Sequence, residues 1–364
     1  MYSGGDGAAC FWDQNEPNLF ITSVYYNAYY IFKNNNYYDY INAGNGTFVS
    51  PADYDYRSNT LYANAVSFAG SNPGTLTRIS GIGSESGLSE INLGTANNVP
   101  FSYVGYSQHS PAGTTNLFVG TQSGRLYKVV NAQDLPIVSD IGSTAFPTAN
   151  ISSVAIGGSE DSLLVTFSNY GVSSIWQTWD GGQTWQEKEG NLPDMPIRWA
   201  LYHPQNSGQA MIATETGIWT TNTLHESNTL WQPAAEGMGN VRVDMLRLRE
   251  SDNTVIAASH GRGMFTATWN IDIYTGIEEP EIEQMLSISP HPAINDITVR
   301  FLATADKEME YKILSMHGST VLAGHAKIGA DGKTILSVGS LKTGTYLLHF
   351  TDGQRSISAK MVKR

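Results

Sequence analysis

Thr178-Trp179-Asp180-Gly181-Gly182-Gln183-Thr184-Trp185 sets a carboxylate and two glycines between an apolar run and a closing tryptophan. The run before it, Val172 to Trp179, reads as a strand, and Trp185 opens the next one. Asp-Gly-Gly between strands is hairpin chemistry. Glycine reaches positive φ at little steric cost, and a short carboxylate bonds nearby backbone N–H groups.

Outward from this hairpin the sequence repeats itself. Trp185–Thr221 aligns with Trp231–Ala267: Trp185 falls on Trp231, Gly217 on Gly263 and Trp219 on Phe265, each at an offset of 46, and Arg198 falls on Arg242 at 44. Each unit gives an apolar strand (Ile197–Tyr202; Val241–Leu248), a polar turn, a second strand (Ala210–Thr214; Thr254–Ser259), a glycine turn and a third strand. The glycine column continues upstream through Gly171, Gly124, Gly74 and Gly7, with spacings toward the C-terminus of 67, 50, 47, 46 and 46. A period of this length with about four strands per unit predicts a β-propeller, because one sheet cannot bury both faces alone and ringed neighbours can. Inner strands begin near Asp53, Phe101, Ile151, Ile197 and Val241, which makes five, and the unit around Gly7 lacks one. Closed rings usually hold roughly six to eight blades. The expectation is therefore a propeller that is N-terminally incomplete, with a complete five- or six-bladed ring as the alternative.

The opening octapeptide resembles the Asp-box of BNR-type propellers, Ser/Thr-x-Asp-x-Gly-x-Thr-Trp, found in sialidases, xyloglucanases and sortilin-like proteins. Thr178, Asp180, Gly182, Thr184 and Trp185 carry the match. The resemblance implies a structural hairpin on the outside of a blade, away from the ligand face. Gly4-Gly5-Asp6-Gly7 and Ser259-His260-Gly261-Arg262-Gly263-Met264-Phe265 also resemble blades of sortilin-like and xyloglucanase-like propellers.

Composition agrees with an all-β chain: 36 glycines, 11% aromatic and only 15% charged residues among 364. The net charge of −12 sits in residues 1–276, and residues 277–364 are neutral. So acidic a body argues against nucleic acid, whose capture needs clustered Lys and Arg. The single cysteine, Cys10, excludes an intrachain disulfide and is expected as a small buried hydrophobe. No apolar run reaches the ~18 residues of a membrane span. Met1–Asp6 lacks the basic head and apolar core of a signal peptide, so the chain is expected to begin inside a domain. Tyr25–Tyr40, which contains Asn34-Asn35-Asn36, departs from the blade template; a glycan-stacking loop and ordinary strand packing both remain open.

Thr275–Gln284 is short, acidic and proline-bearing, a linker composition. Beyond it about seven short alternating strands predict an immunoglobulin-like β-sandwich. The boundaries are then 1–274 for the propeller, 275–284 for the linker and 285–364 for the sandwich. Ser289-Pro290-His291-Pro292-Ala293, Gly344-Thr345-Tyr346 and Lys360-Met361-Val362-Lys363 resemble, in order, three motifs of the C-terminal domains that direct Bacteroidetes proteins through the type IX secretion system. Pro290, Pro292, Gly344, Tyr346, Lys360 and Lys363 are the matching positions, and His291 replaces the usual Asn. The resemblance implies recognition by the secretion machinery, cleavage by a sortase-like signal peptidase, and secretion or display on the outer cell surface.

Candidate chemistry in the propeller is sparse. Asp53/Asp55 and Glu187/Glu189 are i,i+2 carboxylate pairs, but the defined separation that glycosidases need is not a sequence property. Arg198 and Arg242, on adjacent inner strands, could clamp a carboxylate or stitch blades together. His260 and Arg262 stand in a glycine turn as ligand contacts or as plain turn residues. No His/Cys/Asp spacing suits a metal and no phosphate loop is present, so no cofactor is expected. The leading expectation is a surface propeller that binds a glycan or a surface protein. A xyloglucanase- or sialidase-type glycoside hydrolase, and an accessory module of a larger protease or adhesin, are the alternatives.

Overall fold

The computed structural model describes residues 4, 6–95, 98–234, 237–270, 286–301, 307–315, 318–351 and 356–364. The predicted linker at 275–284 lies outside them. The chain divides into two compact units, Met1–Asp272 and Ile273–Arg364.

The first unit contains six antiparallel sheets in chain order, each of which pairs its strands sequentially. Their first strands are Cys10–Trp12, Ala52–Asp55, Phe101–Tyr106, Ile151–Ile156, Ile197–His203 and Val243–Arg249. All six border one cavity, so the sheets are the blades of a β-propeller around a channel. The five inner strands read from sequence are joined by Cys10–Trp12. That strand escapes a pattern search because it has only three residues and exposes two of them. Cys10 itself is exposed, a correction to its expected burial that follows from its place on the channel wall. The tyrosine-rich stretch supplies strands Ala28–Lys33 and Asn36–Asn42 of the first sheet.

Both faces of the middle sheets are buried, which explains why their second strands carry apolar residues at both parities. In Leu163–Phe167, Leu163 and Val165 pack toward the third sheet while Leu164 packs toward the fifth. Five such cores join the six sheets in series. Among the described residues no core joins the sixth sheet to the first. Met264 (77% exposed) and Ile256 (42%) mark the free face of the sixth sheet; on the face of the first turned from the second, Trp12 (62%) and Tyr37 (61%) are exposed while Phe20 and Phe32 between them are buried.

The glycine column has a backbone cause. Gly74, Gly124, Gly171, Gly217 and Gly263 all have positive φ at the entry to each third strand. At Gly124 a Cβ would also lie 2.2 Å from the Pro147 carbonyl oxygen.

The second unit is a two-layer β-sandwich. A three-stranded sheet (Leu286–Ser289, Asp296–Phe301, Lys333–Ser337) faces a four-stranded one (Thr320–Ile328, Lys307–Ser315, Gly344–Thr351, Ser356–Lys363) across one core that includes Ile297, Val299, Ile313, Leu348 and Phe350.

Candidate functional site

The hairpin at 178–185 joins the third strand of the fourth sheet, Ile175–Thr178, to its short outer strand, Gln186–Glu187. Asp180 closes it from inside: its carboxylate accepts the Thr184 hydroxyl at 2.6 Å, the Thr184 N–H at 2.8 Å and the Thr178 hydroxyl at 2.8 Å. These donors hold its pKa down at about 2. Trp185 donates its indole N–H to the Ile141 carbonyl of the preceding blade, at 2.8 Å. Trp231, its sequence repeat, donates likewise to Lys188 at 2.9 Å. The repeated tryptophan therefore ties the fourth blade to the third and the fifth to the fourth.

Three of the four candidate ligand residues meet at one carboxylate. Arg242 Nε lies 2.6 Å from Asp244 Oδ1, Arg198 Nε 3.8 Å from the same oxygen, and His260 Nδ1 3.5 Å from Oδ2. Arg198 also donates to Glu215 at 2.8 Å. Arg262 stands apart and donates to the Met238 carbonyl at 2.8 Å. Both clustered guanidiniums thus face carboxylates of the protein itself.

Strand register explains why Arg242 is not the counterpart of Arg198. The inner strands of the third to sixth sheets each carry a bulge near the start, and its unpaired residue is Ser102, Ser152, Arg198 or Asp244. Asp244 follows Arg198 by 46 residues, the offset of the rest of the repeat, whereas Arg242 follows by 44. That discrepancy was the available signal. Two of these bulge residues reach the next blade: Ser152 donates to the Ile197 carbonyl at 2.6 Å, and Arg198 leans toward Asp244.

The channel itself is a cavity of about 480 Å³. Its walls combine Trp12, Tyr56, Tyr103, Tyr106 and Trp199 with Asp53, Gln108, Arg247 and Glu250. The Trp199 and Tyr103 rings meet edge to face at 6.3 Å, and the Arg247 guanidinium lies 4.8 Å from the Trp199 ring centroid. Asp53 accepts the backbone N–H groups of Tyr54 (3.0 Å) and Tyr106 (3.1 Å). Burial nevertheless pushes its carboxyl above the usual carboxylate range, with Arg247 opposing the shift. Its i,i+2 companion Asp55 is fully buried and closed by Arg57 (3.0 Å) and the Thr115 hydroxyl (2.6 Å). Sequence offered Asp53 only as one of a pair. Nothing local marked Trp199, Tyr103 or Arg247, because the channel gathers a few residues from each of six strands far apart in sequence. Among the described residues no cluster of His, Cys, Asp or Glu could hold a metal ion.

In the second unit the three terminal motifs, far apart in sequence, are neighbours. Strand pairing sets Gly344 opposite Lys363 and Tyr346 opposite Met361. Ala293 bridges Lys363 in parallel, with its N–H bonded to the Val362 carbonyl at 2.7 Å. The Val362 N–H in turn donates to His291 Nε2 at 3.0 Å, so the histidine joins the first motif to the last.

Residues 287–364 match the family model described as secretion system C-terminal sorting domain. The terminal unit is a secretion sorting domain. It carries the type IX signal and implies contact with that secretion machinery and export of the chain. No curated protein matches the chain. Among solved structures the chain is similar to the C-terminal WD40 domain of Sif2, at 9% identity over 73% of this chain and 82% of that one, with a TM-score of 0.48. It is also similar to BBS1N, solved in complex with ARL6DN, at 11% identity over 70% and 75%, with a TM-score of 0.47.

Proposed function

We propose that the chain is a cell-surface binding protein whose propeller takes a glycan in its channel, behind the sorting domain that exports it. The observation that carries this reading is the channel wall, where aromatic rings stand beside planar polar groups around one cavity. Rings stack on the apolar faces of sugars, and carboxylate, amide and guanidinium groups bond their hydroxyls. A glycan array with the full chain tests it: Trp199→Ala should abolish any hit, and a hit insensitive to that change sinks the channel as the site. The cluster of Arg198, Arg242 and His260 around Asp244 then fastens the fifth sheet to the sixth, with Arg262 as a turn residue. The 178–185 hairpin is the outer Asp-box. Pro290, Pro292, Gly344, Tyr346, Lys360 and Lys363 are the surface the translocon reads. Deleting Lys360–Arg364 should strand the protein in the periplasm, and unchanged surface display after that deletion refutes the assignment.

A glycoside hydrolase is the second reading, favoured by the raised pKa of Asp53 in a cavity that Glu250 also lines. Reducing-sugar release from an array hit, lost in Asp53→Asn, would establish it.

A further inference from the structure

Among the described residues Asp53 borders the cavity without a counter-ion, whereas Asp13, buried and likewise without an ion pair, lies off the cavity and is closed by the Asn15 and Glu16 N–H groups and the Tyr54 hydroxyl. Asp55 is closed by Arg57 at 3.0 Å, Glu160 by Lys128 at 2.7 Å and Glu215 by Arg198. Asp53 has no ion-pair partner within 4.0 Å among the described residues. Its hydrogen bonds come from two backbone N–H groups alone. Arg247, the cation of the cavity, acts on it from a distance while its guanidinium lies over Trp199. A second carboxylate, Glu250, borders the same space and is held only by the Gln108 amide at 3.5 Å. Desolvating a carboxylate without a counter-ion is costly, and a cationic group entering the cavity would relieve that cost.

We infer that the channel selects an amino sugar, a glycan whose free ammonium pairs with Asp53 while its ring stacks on Trp199 or Tyr103. This rests on the glycan reading above and adds the charge of the ligand to it. Three observations carry it. The cavity wall holds two carboxylates and one guanidinium, so an anionic ligand meets net repulsion. Tyr103 and Tyr106 on the strand Phe101–Tyr106, and Tyr56 in the turn after Ala52–Asp55, line the cavity with Asp53, and aromatic faces attract cations. The −12 charge of the chain steers cations toward the propeller that carries it. A phosphorylated or uronic ligand fits none of these. At about 480 Å³ the cavity admits a short oligosaccharide end rather than a folded partner.

The test is calorimetric titration of the full chain with three tetrasaccharides: fully deacetylated chito-oligosaccharide, its fully N-acetylated counterpart, and cellotetraose. The expected result is binding of the amine form about tenfold or more tighter than the other two. Asp53→Asn should erase that preference, weakening the amine form by about tenfold more than the acetylated form. Glu250→Gln, an exposed change that leaves folding intact, should reduce the preference in part. Equal affinity for amine and acetylated forms, with both lost in Trp199→Ala, leaves the glycan site standing and overturns the inference. A preference that survives Asp53→Asn overturns it as well. Binding of a lysine tetrapeptide as tightly as the amino sugar shows an ammonium site indifferent to sugar, and also overturns it. If no tetrasaccharide binds, this inference fails, and the glycan array then decides the broader reading.

Discussion

Asp180 and Asp53 show how opposite surroundings push the same side chain in opposite directions. Three donors crowd the Asp180 carboxylate and depress its pKa to about 2. Its contribution is therefore complete above about 3.9, the unfolded value, and is lost as pH falls through about 2. An NMR titration of Asp180 should show a midpoint near 2, and Asp180→Asn should lower the Tm at pH 7 with a deficit that closes toward pH 2. Asp53 is raised by burial, so the linkage runs the other way. Its contribution is fully present below the unfolded value and is lost as pH rises through the folded one. Asp53→Asn should accordingly gain Tm relative to the native chain between pH 4 and pH 7, as read from thermal melts across that range. A flat difference would mean that Asp53 is solvated in the channel. The Asp180 hairpin could be read from eight consecutive residues. The environment of Asp53 could not, since its two donors and its opposing guanidinium come from three different blades.

At the scale of elements, the repeated tryptophan joins the sheets. Trp231 is 1% exposed and packs between the fourth and fifth sheets while its N–H meets the Lys188 carbonyl. Trp231→Phe keeps most of the packing and leaves that carbonyl unpaired, which should cost about 1–3 kcal/mol. Trp231→Ala should cost about 3–5 kcal/mol, and urea unfolding would separate the two. The tryptophan column was legible because side chain and partner both recur at the blade period. The bulges were not. A bulge shifts side-chain parity by one without any distinctive residue, as Ser102, Ser152, Arg198 and Asp244 show. Strand order in the sorting domain was equally hidden, and with it the bond from Val362 to His291.

Across the whole molecule, burial is serial: five cores link six sheets, and the two terminal faces carry exposed apolar groups. Lysine substitutions should map this directly. Ile256→Lys or Met264→Lys, on the free face of the sixth sheet, should change stability by no more than about 0.5 kcal/mol. Leu246→Lys, on the opposite face and fully buried, should cost roughly 4 kcal/mol or more. Equal costs at the two faces would show that the sixth sheet is covered on both sides in solution.

The amino-acid order alone determined most of the strands, the blade period and the terminal label. Each of these is written in local alternation, in glycines that need positive φ, and in short motifs. Only the tertiary structure decided that Cys10–Trp12 is an inner strand, which residues line the channel and that Asp53 faces it without a counter-ion. Those depend on bulges and on side chains from distant strands meeting across one axis, and no stretch of sequence holds that information by itself.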